Sequence, residues 1–279
     1  MRALERVRSW PVPNAAAAVV GADGTGIASV GAGATVFRLA SVTKVLTAWS
    51  TLVAIEEGIV HLDDAVGQPG CTLRHLLAHA GGYPFEGDDP VAAPQSRRIY
   101  SNTGIELVAR HVEQAAGVAF ADYLAESVTE PLVMASTELR GSPAHAVWSS
   151  VADLCSLLAE LQSPRLIHRS TASDAVRTHY PGLAGIVPAM GRFDPCPWGL
   201  GVEVRGDKSP HWTGTTNSPA TYGHFGAAGT MLWVDPAAGV GLVALTDRSF
   251  DDWAVEAKRS WRELSDAVVA DVGTAGAAG

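Results

Sequence analysis

Apolar residues form short strand-like runs near both ends of the chain. Residues 15–20 and 26–30 are two such runs, separated by the turn pair Asp23-Gly24, and this pattern predicts a pair of strands. Residues 230–234 and 240–245 are two more, joined by the turn-forming sequence DPAAG. The second pattern predicts an antiparallel hairpin.

Helical spacing dominates the middle of the chain. After Ser41, apolar residues recur every three to four positions for about sixteen residues, and Gly58 is suited to end that helix. Further helices are predicted over 103–116 and 151–161. An amphipathic helix is predicted over 253–269, with the last seven residues outside it.

A long segment, 163–222, is rich in Pro, Gly, Thr and Ser. It predicts long loops with one strand near 199–204. The order of elements predicts an α/β (α+β) fold, in which an antiparallel sheet is flanked by N- and C-terminal helices and a mainly helical region is inserted. We expect a discontinuous sheet domain, residues 1–60 and 195–279, and a helical domain, residues 61–194.

Composition narrows the class of protein. The 279 residues are 47 % hydrophobic and 18 % charged, which excludes wholesale disorder. A formal net charge of −9 argues against a nucleic-acid partner, because phosphate contacts need a basic surface. The sequence has no apolar run long enough for a signal peptide or a membrane span, so we expect a cytoplasmic protein without a membrane partner. Three widely spaced cysteines predict reduced, buried thiols rather than disulfides or a zinc site.

The first candidate for chemistry is Ser41-Val42-Thr43-Lys44, at the predicted start of a helix. The Lys44 amine can reach the Ser41 hydroxyl from one turn later, and burial and the helix dipole both lower a lysine pKa. That combination is typical of a serine nucleophile beside a lysine base. The alternative is that Ser41 only caps the helix, although a cap favours glutamate over lysine three residues later.

The second candidate is the segment Tyr100-Ser101-Asn102, just before the predicted helix over 103–116. In the catalytic interpretation Tyr100 is a second base, and Lys44 favours its phenolate. Asn102 then hydrogen-bonds the lysine or the substrate. In the alternative interpretation Tyr100 is a half-buried tyrosine and Asn102 caps the helix.

The third candidate, His224-Phe225-Gly226-Ala227, directly precedes the predicted hairpin. Alternation along a strand places His224 and Gly226 on one face and Phe225 on the other. Because a strand glycine is costly unless another backbone comes close, we expect a substrate to lie along this strand. The amides of Ser41 and Ala227 would then form an oxyanion hole. The alternative is that the histidine is structural.

Together the segments SVTK, YSN and HFG match the ordered pattern SxxK, YxN, then KTG or HxG. In this the sequence resembles the serine β-lactamase and penicillin-binding protein superfamily, in particular its class C-like branch. That branch includes esterases, D-aminopeptidases and D-alanyl-D-alanine carboxypeptidases. Similar segments at 72–84, 99–117, 148–158 and 222–248 extend the resemblance over residues 15–250.

The resemblance implies a β-lactamase-like fold and a serine hydrolase that forms an acyl-enzyme on Ser41. It implies that Lys44 and Tyr100 share the proton transfers. Asn102 would orient the lysine and contact the substrate. The other substrate-binding positions would be His224, Gly226 and Ala227.

One departure from the family pattern bears on the substrate. His224 replaces the lysine of KTG, so a permanent cation that would attract a β-lactam or peptide carboxylate is absent from the motif. We therefore expect a small ester or amide as the substrate. The alternatives are a β-lactamase, a D-alanyl-D-alanine carboxypeptidase or a D-aminopeptidase with the same site, and a non-catalytic relative that binds a ligand.

A metal site is the remaining alternative. His75 and His79 are four residues apart, as zinc ligands on a helix would be, but the glutamate of HExxH is missing. The sequence therefore predicts neither a metal nor a cofactor, and a metallohydrolase is the least favoured of the functions considered.

Overall fold

A computed structural model describes residues 1–276 of the chain. The strands are β1 (Ala15–Gly21), β2 (Gly26–Val30), β3 (Val36–Arg38), β4 (Glu138–Leu139), β5 (Val147–Ser150), β6 (Gly185–Val187), β7 (Gly191–Phe193), β8 (Glu203–Val204), β9 (Tyr222–Gly226), β10 (Thr230–Asp235) and β11 (Val240–Thr246). The α-helices are α1 (Thr43–Glu56), α2 (Leu73–Leu77), α3 (Asn102–Ala116), α4 (Phe120–Leu124), α5 (Val151–Gln162), α6 (Arg169–Val176) and α7 (Ala254–Gly276). Short 3₁₀ helices cover Ala3–Ser9, Ala40–Val42 and Phe250–Asp252, and a π-helical turn covers Ala125–Thr129.

The two ends of the chain form one antiparallel sheet, with the strand order β2-β1-β11-β10-β9-β8. Both predicted strand pairs are confirmed, because β1 pairs with β2 and β10 pairs with β11. The remaining strands form a small sheet, β3-β5-β4, and the hairpin β6-β7. The mixed α and β architecture with an antiparallel sheet is the predicted fold class.

Side chains alternate between two hydrophobic cores on the two faces of the main sheet. Ala16, Ala18 and Val20 of β1 face the core that includes buried residues of α1 and α5. Ala17 and Val19 face the second core, which includes buried residues of α7 and of the first 3₁₀ helix. Successive β1 side chains thus alternate between the two cores. Because the strand is covered on both faces, it needs no polar positions, and this explains its continuous apolar run.

The helix predicted over 253–269 is α7, which begins at Ala254 and continues to Gly276. The prediction that the last seven residues lie outside it is therefore wrong for residues 273–276, and residues 277–279 lie outside the described chain.

α5 falls within the predicted helical domain yet packs against β1 and β11. The domain boundaries themselves stay a prediction.

The segment 163–222 contains more regular structure than the predicted loops. It holds α6, the β6-β7 hairpin and β8, the last being a short form of the strand predicted near 199–204. α6 has the sequence RSTASDAV, in which Ala172 and Ala175 are the buried positions. So small an apolar face leaves no helical periodicity to detect.

The structure bears on two expectations drawn from composition, the state of the cysteines and the lack of a membrane span. Cys71, Cys155 and Cys196 are free thiols, although Cys155 is only partly buried. Across the helices that the structure describes, none combines the length and the hydropathy needed to cross a bilayer.

The observed helix caps test the capping interpretations of Ser41 and Asn102. Ser41 lies in the 3₁₀ turn Ala40–Val42, and no side chain caps the start of α1, so the capping interpretation of Ser41 is wrong. At α3 the cap is Ser101, whose hydroxyl oxygen accepts from the Gly104 amide at 2.9 Å. Asn102 is therefore not the cap, and its side chain is available for another partner.

Gly226 sits where another backbone approaches β9, and that backbone belongs to the chain itself. A Cβ at Gly226 would lie 2.4 Å from the Leu39 carbonyl oxygen and 2.5 Å from the Thr230 hydroxyl oxygen. The Thr230 hydroxyl donates to the same carbonyl at 2.7 Å. Gly226 therefore makes room for the turn that carries Ser41, where we expected the backbone of a substrate, and a substrate along β9 stays a prediction.

That turn is held in a strained conformation. Ala40, directly before Ser41, has a φ of 47°, in the left-handed region that residues with a Cβ rarely adopt. Such strain persists only where the surroundings enforce it. Here the close approach to Gly226 and the hydrogen bond from Thr230 hold the turn against β9.

We predict that Gly226→Ala lowers the free energy of unfolding by about 1–3 kcal/mol, because the added methyl group overlaps the Leu39 carbonyl and the Thr230 hydroxyl. Urea denaturation of the variant measures this directly. The matched control is Gly26→Ala in β2, where no atom lies within 4 Å of the new Cβ. Equal effects of the two substitutions would contradict the close approach at Gly226.

Candidate active site

The Lys44 amine is fully buried and is the centre of the site. Its Nζ lies 2.7 Å from Asn102 Oδ1, 2.9 Å from the Ala144 carbonyl oxygen and 3.3 Å from Ser41 Oγ. These partners come from the start of α3, the loop between β4 and β5, and the turn before α1. The structure thus brings together three of the predicted residues, Ser41, Lys44 and Asn102, with a backbone carbonyl that the sequence did not suggest.

Burial lowers the pKa of Lys44 to about 7, and the Glu106 carboxylate opposes this shift only in part. A neutral amine has two N–H groups and one lone pair. Asn102 Oδ1 and the Ala144 carbonyl are acceptors without a proton to give, so they take the two N–H groups. The lone pair is left for the third partner, the Ser41 hydroxyl, and this is the arrangement that a base needs to take the Ser41 proton.

The carbonyl of Ala144 is held in place by hydrogen bonds around it. The Thr47 hydroxyl donates to the Pro143 carbonyl at 2.6 Å, and the Val147 amide donates to Thr43 Oγ1 at 3.0 Å. Both threonines belong to α1, the helix that also carries Lys44. α1 therefore positions the lysine and the carbonyl that orients it.

Tyr100 is buried beside Lys44, with the Lys44 Nζ 4.7 Å from the centre of the phenol ring. Burial raises the pKa of Tyr100 above its ordinary value, while a hydrogen bond with Ser41 acts in the opposite direction. The phenol is therefore protonated at neutral pH, which corrects the expectation of a phenolate. A protonated phenol next to Ser41 can donate or relay a proton, but it cannot act as a second resting base.

His224 is buried and its ring lies 5.6 Å from the Tyr100 ring, measured between centres. Nδ1 lies 2.6 Å from the Phe225 carbonyl oxygen, so this nitrogen carries the proton and Nε2 is an acceptor. Within residues 1–276 that Nε2 has no hydrogen-bond partner. Burial, then the positive charge of Lys44, lowers the pKa of His224 to about 3, so the ring is neutral at pH 7.

As predicted, Phe225 points away from His224. It packs against Trp212, Phe250 and Trp261 on the opposite face of the sheet. Ala227 follows β9 and is exposed, and its carbonyl accepts from the Phe250 amide at 2.8 Å. In the described part of the chain the Ala227 amide donates to no acceptor, so it is free to bind a ligand.

Two aromatic residues at the site were missed by the sequence analysis. His79 lies 4.8 Å from Tyr100 and Trp198 lies 5.8 Å from it, between ring centres. His79 Nδ1 accepts from the Ser101 amide at 3.2 Å, which ties it to the segment carrying Tyr100. His79 was considered only together with His75, and nothing in the spacing of Trp198 distinguishes it from a core residue.

The structure separates His75 from His79. α2 ends at Leu77, and His79 follows it with a φ of 52°. His75 Nδ1 lies 2.8 Å from the Thr72 hydroxyl, and its Nε2 lies 2.6 Å from Gln95 Nε2. The two rings therefore serve different partners, and the helical spacing that suggested zinc does not exist. Among the residues described, no three potential ligands are grouped for a metal ion.

A buried ion cluster supports the wall behind Trp198. The Glu203 carboxylate lies 2.9 Å from Lys208 Nζ and 3.1 Å from His211 Nε2, and it accepts from the Trp212 ring N–H at 2.6 Å. Burial alone would raise the pKa of Glu203, but the Lys208 charge and the His211 contacts outweigh it and lower that pKa far below its ordinary value. The carboxylate is therefore ionised and fully paired, which is a structural role.

Comparison with known proteins shows what the whole chain is similar to. The model of the family described as Beta-lactamase matches residues 9–265. A beta-lactamase from Mycobacterium bovis is 46 % identical, with a TM-score of 0.94, over 97 % of this chain and 99 % of that chain. A mutant of the simvastatin synthase LovD from Aspergillus terreus shares the fold, with a TM-score of 0.80 at 18 % identity over 98 % of both chains.

A curated relative matches over a shorter region. Penicillin-binding protein 4* of Bacillus subtilis (strain 168) is 31 % identical over 136 residues, which are 37 % of this chain and 30 % of that protein. The match therefore spans less than a third of the length of that relative.

We predict that Lys44 titrates with a midpoint near pH 7. The chain has only three lysines, so ¹³C-lysine NMR resolves each, and the signal lost in Lys44→Met identifies Lys44. Asn102→Asp places a carboxylate where the amide oxygen lies 2.7 Å from Nζ, and should raise that midpoint by about one unit or more. A wild-type midpoint near 10, or no rise in the variant, would contradict the environment described for the amine.

Proposed function

The chain belongs to the beta-lactamase family, whose members are serine hydrolases, and from that premise we propose that Ser41 is the nucleophile that forms the acyl-enzyme. The observation that carries the proposal is the buried Lys44 amine within hydrogen-bond distance of Asn102 Oδ1, the Ala144 carbonyl and Ser41 Oγ. In the neutral amine the first two acceptors take the N–H groups, which leaves the lone pair for the Ser41 proton. A buried, neutral lysine 3.3 Å from a serine hydroxyl activates the hydroxyl as a nucleophile.

In the acylation step Ser41 Oγ forms a bond to the carbonyl carbon of the substrate, and Lys44 takes the Ser41 proton. The bond between the carbonyl carbon and the leaving oxygen or nitrogen then breaks. The proton passes from the Lys44 ammonium, through the Tyr100 hydroxyl, to the leaving group. Tyr100 suits this relay because it is protonated at rest and close to both Ser41 and Lys44.

Hydrolysis of the acyl-enzyme uses the same groups in reverse order. A water molecule attacks the acyl carbon and loses its proton through Tyr100 to Lys44. The bond from the acyl carbon to Ser41 Oγ breaks, and the proton returns from Lys44 to Ser41. These reaction steps require no additional carboxylate base, since the Lys44 amine accepts and returns each proton.

The developing negative charge on the carbonyl oxygen needs hydrogen-bond donors. We assign this role to the amides of Ser41 and Ala227, because Gly226 brings the Ser41 turn against the end of β9. Asn102 orients the lysine. His224 supplies a neutral acceptor, its Nε2, beside Tyr100.

The neutral state of His224 favours an ester or a small amide as the substrate. A β-lactam or a peptide presents a carboxylate, and a neutral, buried imidazole gives that carboxylate no cation at this position of the strand. An ester needs no such charge. The small-molecule substrate class, the cytoplasmic location and the absence of a cofactor stay predictions from the sequence.

We predict that a short-chain p-nitrophenyl ester adds its acyl mass to the wild-type protein on Ser41, as measured by intact-mass and peptide mass spectrometry. In Ser41→Ala the adduct should disappear, and turnover should fall by about 10⁴-fold or more, because the nucleophile is removed. The matched control is Ser173→Ala, which removes an exposed hydroxyl on α6. An adduct retained in Ser41→Ala would refute the assignment, as would the absence of any adduct in the wild-type protein.

We also predict that kcat/KM for p-nitrophenyl acetate or butyrate exceeds kcat/KM for a chromogenic cephalosporin. The physical reason is the missing cation at His224. Steady-state kinetics of both substrates on one preparation decides the point. A preference of about tenfold or more for the cephalosporin would reverse the assignment in favour of a β-lactamase.

A further inference from the structure

A cavity of about 590 Å³ opens beside Tyr100. Its walls come from three segments, 84–91, 97–100 and 184–192, and Tyr100 is one of the lining residues. Three large apolar side chains are exposed in it, Phe85 at 51 %, Val91 at 54 % and Ile186 at 61 %. The concentration of exposed apolar surface in one concave site favours an apolar ligand.

The cavity is tied rigidly to the candidate active site. The Asn102 amide donates to the Phe85 carbonyl at 2.8 Å, and the Ser101 hydroxyl donates to the Pro84 carbonyl at 2.6 Å. The Phe85 ring also stacks on Tyr100, with 5.8 Å between ring centres. A group bound between these walls therefore contacts the same Tyr100 that lies against Lys44.

The charged side chains that line the cavity are all cationic, while the exposed Glu86, Asp88 and Asp89 of segment 84–91 lie outside the lining. Arg97, Arg98 and Arg192 line the cavity, and no carboxylate does, in a protein of formal charge −9. Arg98 is buried, and its guanidinium donates to the carbonyls of Ala78, Cys196 and His179, so it is occupied. Arg97 and Arg192 are exposed, and within residues 1–276 neither forms an ion pair.

We propose that this cavity binds an apolar part of the substrate that carries an anionic group, with the apolar part against Phe85, Ile186 and Tyr100 and the anion at Arg97 and Arg192. The proposal rests on the proposed function, since it names the substrate class of the same site. It differs from recognition of a β-lactam carboxylate on the His224 strand, because the two arginines lie at the cavity rather than on β9. The anion can belong to the acyl group or to the leaving group, and the substrates tested distinguish the two.

The test compares matched esters of one chain length. p-Nitrophenyl octanoate is the neutral reference, and the mono-p-nitrophenyl ester of octanedioic acid carries a carboxylate on the acyl group. The octanoyl ester of 3-hydroxy-4-nitrobenzoic acid carries the carboxylate on the leaving group. We expect one of the two anionic esters to have a higher kcat/KM than the neutral ester, and the favoured one identifies the part that enters the cavity.

Substitution of the arginines measures their contribution. In Arg97→Gln/Arg192→Gln, the ratio of kcat/KM for the favoured anionic ester to that for the neutral ester should fall by about fivefold, and raised salt should reduce the ratio in the wild type. The matched control is Arg259→Gln, an exposed arginine on α7 that lies outside the cavity. An unchanged ratio in the double variant, or an equal fall in the control, overturns the proposal.

Binding measured without turnover separates this proposal from the proposed function. Calorimetry on Ser41→Ala should show octanoate binding more tightly than 1-octanol, with the difference reduced in Ser41→Ala/Arg97→Gln/Arg192→Gln. Ile186→Ser should weaken octanoate binding, because it removes exposed apolar surface from the wall. If Ser41 is not acylated but octanoate still binds, the assignment of Ser41 as nucleophile is rejected and the assignment of the cavity as a binding site stands. Acylation without any preference for octanoate over octanol would reject the cavity as an anionic site.

Discussion

Placing the Lys44 amine out of water is the constraint around which this site is built. A buried amine is costly unless its hydrogen-bonding groups are satisfied. Here the satisfying atoms come from three distant parts of the chain, Ser41, Asn102 and Ala144. The helix α1, the start of α3 and the loop before β5 must therefore all be in place before the amine is paired. Burial makes those hydrogen-bond partners necessary, and burial also lowers the pKa of Lys44 to about 7. One physical cause therefore accounts for the set of partners and for an amine able to act as a base.

The site also depends on the packing of β9 against the turn that carries Ser41. Gly226 allows the Leu39 carbonyl to approach the strand, and the Thr230 hydroxyl holds it there. This contact brings the sheet, formed by the two ends of the chain, against the turn that starts α1. The protonation states follow from the same exclusion of water, because burial keeps Tyr100 a phenol and His224 a neutral imidazole. The site therefore contains one group that changes charge near neutral pH, Lys44, beside two that do not.

Much of this architecture could be predicted from the sequence, for reasons visible in particular elements. The continuous apolar runs of β1, β10 and β11 and the turn residues between the last two predicted these strands and the hairpin, since a strand buried on both faces needs no polar positions. α6 could not be predicted, since it buries only Ala172 and Ala175. The residues Ser41, Lys44 and Asn102 were identified from the ordered motifs SVTK and YSN and the family resemblance that they carry. The Ala144 carbonyl was not identified, because a backbone acceptor has no residue-type signature. Gly226 was recognised as a point of close approach but assigned to the wrong partner, since a sequence does not say which backbone arrives.

The central claim is that an uncharged Lys44 activates Ser41. It is tested most directly by the rate constant for phosphonylation of Ser41 by a fluorophosphonate, measured as a function of pH in single-turnover experiments. We predict that this rate rises with the loss of one proton at a midpoint near pH 7 and is constant above it, following the pKa of Lys44. A rate independent of pH between about 5 and 9, or one that rises only near the ordinary lysine pKa of about 10.4, would contradict it.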